Sequence, residues 1–133
     1  FYLGLAAEAH ACVGEMDRSI ELIDEAIASC GDTRGFFYES ELYRLKGDFK
    51  LMHNGLRANS SAEYCFERSL QIARSQGARL FELRTAVSFG DMRIRQGRNA
   101  NAAELITPLL EDMREGMESY DVKRARTVLT AAG

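Results

Sequence analysis

Three segments of this chain repeat one spacing: a small residue, a large apolar residue four positions later, and a small or apolar residue three beyond that. They are Ser19-x3-Ile23-x2-Ala26, Ala62-x3-Phe66-x2-Ser69 and Ala102-x3-Ile106-x2-Leu109. Steps of four and three return to one face of an α-helix, so each segment presents a single stripe. Each is preceded by a partner segment with a small residue near its middle: Ala7, Gly47 and Gly90. Small residues let antiparallel helices approach closely, and the large residue is expected to fill the groove between one pair and the next. The large residues recur 43 positions apart (Ile23 to Phe66) and then 40 (Phe66 to Ile106).

Other stripes carry the same period. Tyr38, Leu42, Leu45, Phe49 and Met52 form one, Leu80, Leu83, Val87, Gly90 and Ile94 a second, and Ile20, Ile23 and Ile27 a third. Ala62, Phe66, Leu70 and Ala73 form a fourth. Alternating β-branched runs are absent, and the sole proline, Pro108, falls inside a helical stretch, where a bend is expected. Punctuation is short. Asp17, Ser60 with Glu63, and Asn101 with Glu104 read as N-terminal caps. Gly31, Gly77 and Gly116 read as helix ends, and Gly14 and Gly97 as turns within units. The expectation is seven helices joined by turns that permit only antiparallel neighbours.

This pattern resembles the tetratricopeptide repeat, whose second helix carries A-x3-F, although that unit is about 34 residues long. The excess falls at 54–59 and 76–79. The resemblance implies an all-α fold, a right-handed superhelical array of antiparallel helix hairpins. Repeats would cover 1–34, 36–77 and 79–116, with a capping helix at 119–131, all in one domain.

A more specific likeness lies in Glu41-Leu42-Tyr43-Arg44-Leu45-Lys46-Gly47, in the stretch from Ala62 to Ala78, and in Glu82-Leu83-Arg84, Gln96-Gly97-Arg98 and Asp121-Val122-Lys123-x-Ala125. In this order, across about residues 38–130, they resemble the C-terminal repeat region of large bacterial signalling proteins. Those proteins join a class III adenylate/guanylate cyclase domain, or a DNA-binding output domain, to a P-loop ATPase and then to such a tail. Where the family has Gly-Phe-Asp, this chain has Gly116-Met117-Glu118. The first residues, Phe1-Tyr2-Leu3, already lie inside an apolar helical pattern, and the chain is expected to be a piece of a longer protein. Its first helix would then leave Leu3, Ala6 and Ala7 uncovered, a face on which two copies could pair as a homodimer.

The resemblance implies a non-catalytic interaction or regulatory module whose partner is a protein, a peptide or the parent's own catalytic domains. No G-x4-G-K-[ST] phosphate loop occurs in the sequence. No cofactor or metal is expected. The two histidines, His10 and His53, lie on different repeats, and neither has a second His or Cys one turn away. Cys12, Cys30 and Cys65 are odd in number and widely spaced, which fits a reducing cytoplasm. Cys65 reads as core, and Met113 with Met117 as packing against the last helix. No apolar run reaches the roughly 20 residues of a membrane span.

The net charge of −3 argues against nucleic acid, despite Lys123, Arg124 and Arg126 near the end. A small independent enzyme or ligand-binding helical domain is the alternative. An enzyme would need convergent titratable groups, and adjacent pairs such as Asp24-Glu25 and Glu111-Asp112 point to different sides of a helix. If the first helix of each unit lines a concave surface, Arg44, Asp48 and Leu51 face it from the second unit. Arg84, Val87, Asp91 and Ile94 would do so from the third, with Arg able to grip a carboxylate through two hydrogen bonds. The plainer reading pairs Arg44 with Asp48 and Arg84 with Glu82 along their own helices.

Overall fold

A computed structural model of the chain describes residues 16–28, 38–55, 59–112 and 120–133. Among these residues there is no strand, and six helices carry the fold. They are α1 (Met16–Ala28), α2 (Glu39–Asn54), α3 (Asn59–Gln76), α4 (Arg79–Arg95), α5 (Asn99–Asp112) and α6 (Tyr120–Ala132). The helix expected before Gly14, with Leu3, Ala6, Ala7, His10 and Cys12, lies outside the described residues. So do Cys30, Gly31, Met113, Gly116 and Met117.

The chain divides into two compact units, residues 1–72 and 73–133. In the first, α1 packs on α2 through Leu22, Ile23, Ala26, Leu42, Leu45 and Phe49, with Ile20 and Ile27 at the margin. Helices α2 and α3 run antiparallel. Ser40, in the first turn of α2, meets Ser69 in the second half of α3, and Gly47 lies against Phe66 at mid-helix. A β-carbon on Gly47 would stand 2.6 Å from Phe66 Cε1, so glycine is what lets the ring in.

The second unit repeats this construction. Arg79 opens α4 and bonds Asp112 at the end of α5 at 2.6 Å, so these helices are antiparallel too. A β-carbon on Gly90 would lie 2.9 Å from Ile106 Cδ1 and 3.6 Å from Ala102 Cβ. The core joins Leu83, Ala86, Val87, Ile106 and Leu109 to Val122, Ala125 and Val128 of α6. The residues that define the repeated spacing, Ser19, Ile23, Ala26, Ala62, Phe66, Ser69, Ala102, Ile106 and Leu109, are all buried. Phe66 and Ile106 each sit on the glycine of their own hairpin, while Ile23 packs on α2 and Ile106 also meets α6, so the large residues serve fits both within a pair and toward the next.

Ser40 and Ser69 form a buried reciprocal clamp. Ser40 Oγ donates to the Ser69 carbonyl at 3.1 Å, Ser69 Oγ donates to the Ser40 carbonyl at 2.7 Å, and the hydroxyls lie 3.1 Å apart. Going from Gly47 to Gly90 and from Phe66 to Ile106, the same two places hold Leu83 and Leu109, both in the apolar core. One hairpin thus closes with hydroxyls where the other closes with leucines. Ser40→Ala is expected to cost about 1 kcal/mol, since Ser69 keeps its own bond to the Ser40 carbonyl. The double variant Ser40→Ala/Ser69→Ala should cost more than either single change, as measured by urea denaturation.

Helix ends follow the glycines better than the caps. Gly77 and Gly97 have φ of 66° and 77°. Gly77 N–H donates to the Arg74 carbonyl and Ala78 N–H to that of Ala73; Gly97 N–H donates to Ile94 and Arg98 N–H to Arg93. Both are Schellman endings, which satisfy carbonyls the helix would leave open. A β-carbon at Gly97 would meet nothing within 4 Å, so only backbone conformation resists substitution there. Gly97→Ala is expected to lower stability by about 1–2 kcal/mol, the cost of a side chain in left-handed backbone. Gly97→Asn should lose less, and thermal unfolding of the three proteins checks the order.

The expected caps are corrected. Asp17 lies inside α1, and α3 is already helical at Asn59, which puts Ser60 in its first turn. Helix α5 begins at Asn99, two residues before Asn101, because Ala102 N–H already donates to the Arg98 carbonyl. Pro108 does not interrupt α5. It lies on the exposed side, as does Glu104 one turn earlier, so the carbonyl deprived of a donor is on the solvent side.

Candidate interaction surface

In the first unit, Arg44 is held on its own helix from both directions. Its Nε and Nη2 donate to the two carboxylate oxygens of Glu41, each at 3.0 Å, and Nη1 donates to Asp48 Oδ2 at 2.9 Å. The Asp48 contact matches the plainer sequence reading. Glu41 was missed there, although its spacing of three from Arg44 was the available signal. The guanidinium fork is occupied, so a partner's carboxylate would have to displace Glu41 to gain the same two bonds. What this face offers is one cation between two carboxylates, a net negative cluster, with half-buried Leu51 further along α2.

In the second unit, Arg84 turns away from its expected partner. Residues two apart on a helix project to different sides. Glu82 accordingly accepts from Arg74 Nε at 2.8 Å, while Arg84 Nε reaches both oxygens of Asp121 on α6 at 3.1 Å. The Arg84 guanidinium also lies 5.7 Å from the centre of the Phe81 ring. Arg84 therefore ties the first half of α4 to the start of α6. Val87 is 2% exposed and packs in the core with Ile106 and Val122, so it presents no surface to a partner, contrary to expectation. Ile94 is partly buried against that same core. Asp91 pairs with Arg95 at 3.0 Å, one turn along the helix.

Arg93 also escaped the sequence reading. It is 6% exposed, stacks over Phe89 at 4.6 Å and donates to Gln96 Oε1 at 3.0 Å. Its position one turn after an aromatic residue was the readable sign.

Cys65 is buried beside Phe66, and burial pushes its thiol above the ordinary range, with Lys46 and Lys50 pulling the other way. A neutral thiol is a poor nucleophile, which agrees with a core role. Burial works against the charge of Lys46, but its 2.6 Å contact with Asp24 on α1, together with the charge of that carboxylate, leaves its affinity for a proton raised. Among the described residues, no three His, Cys, Asp or Glu side chains converge as a metal site. No described helix is long and apolar enough to cross a membrane.

Helix α6 buries Val122, Ala125 and Val128 and exposes Tyr120, Lys123, Arg124, Arg126, Thr127 and Thr130. Both threonine hydroxyls donate back to carbonyls one turn earlier. No protein-family model, curated protein or solved structure matches the chain.

Proposed function

We propose that this chain is a non-catalytic, tetratricopeptide-type interaction module of a cytoplasmic multidomain bacterial regulator. Its role would be to bind a protein, a peptide or the parent's own catalytic domains and so bias the parent's output. One observation supports the repeat reading above the others. The same seat, a mid-helix glycine under a large residue of the antiparallel partner, is built once in each unit, at Gly47/Phe66 and at Gly90/Ile106. Two helical hairpins that share a seat are what a repeated unit provides. A binding role fits the helix faces described above, which carry paired charges rather than a convergent set of titratable groups.

The cyclase–ATPase or transcriptional-regulator parentage rests on the sequence resemblance. It is tested by reading the coding sequence upstream of Phe1. That frame is expected to contain a phosphate loop and an output domain. Deleting residues 1–133 from the parent should change its nucleotide turnover, while the purified chain alone turns over no nucleotide. Turnover by the isolated chain, or a parent frame lacking both domains, would overturn the proposal.

A further inference from the structure

No further inference is drawn: the strongest candidate, the cationic outer face of α6 formed by Lys123, Arg124 and Arg126, carries nothing because nothing in the structure shows what covers it, and three exposed charges are ordinary for a solvated helix face.

Discussion

Replacing Phe66 with alanine is expected to lower the stability of the chain by about 3–5 kcal/mol, the largest loss for any single truncation in the first unit. The ring is fully buried and lies against Gly47, with Ala62, Cys65 and Leu70 buried on the same helix. Its removal forfeits the transfer energy of the side chain and leaves a cavity, which a notch built from backbone cannot close. Urea denaturation monitored by circular dichroism measures the loss, and the two compact units give a further readout. If they unfold separately, the transition that includes α2 and α3 should move most. A loss below about 1 kcal/mol would mean that the ring is not the knob described here.

The complementary change is to fill the notch. Gly47→Ala places a methyl 2.6, 2.9 and 3.0 Å from three atoms of the Phe66 ring. A ring moves as a plate, so α2 and α3 must separate or the ring must leave its rotamer. Overpacking of this kind typically costs about 1–3 kcal/mol, against a gain of about 1 kcal/mol from alanine's better helix propensity. Net destabilisation is expected. Gly90→Ala is crowded by the tip of Ile106 alone, Cδ1 at 2.9 Å, with Ala102 Cβ and Ile106 Cγ1 at an ordinary 3.6 Å, and that methyl can rotate away. The propensity gain should there offset most of the clash and leave stability within about 1 kcal/mol of the starting protein. A double-mutant cycle with Phe66→Leu isolates the contact, because shortening the ring should relieve Gly47→Ala and leave Gly90→Ala unchanged. Equal effects at the two glycines would contradict the difference in packing.

Much of the fold was legible because helical periodicity is a local signal. The stripes on α1 to α4, the buried positions of the repeated segments and the glycines at 77 and 97 follow from spacing and backbone freedom alone. The ends of stripes were less faithful. Tyr38, Met52 and Leu80 continue the period yet are exposed, because periodicity records direction around a helix and not how far its neighbour extends. Asp17, Ser60 and Asn101 fall inside a first turn instead of before it, because Asp, Ser and Asn are tolerated in both places. The surface was the least legible part. Arg84 finds Asp121 at a separation of 37 residues, and the Ser40–Ser69 clamp spans 29, distances over which no spacing rule operates. Val87 shows the converse error. It shares the stripe of Leu83 and Ile94, and a stripe alone does not tell a groove floor from a core.

The location of the lock inside each hairpin bears on how such a chain can lengthen or shorten. A gene duplication that copies one hairpin copies both halves of its glycine seat, so that seat arrives already matched. The packing of one pair on the next, as of α1 on α2 through Ile23, is a separate fit that an inserted hairpin must still meet. The glycine seat itself is kept whenever whole hairpins are added or lost, and a break between the two helices of a hairpin is the event that destroys it.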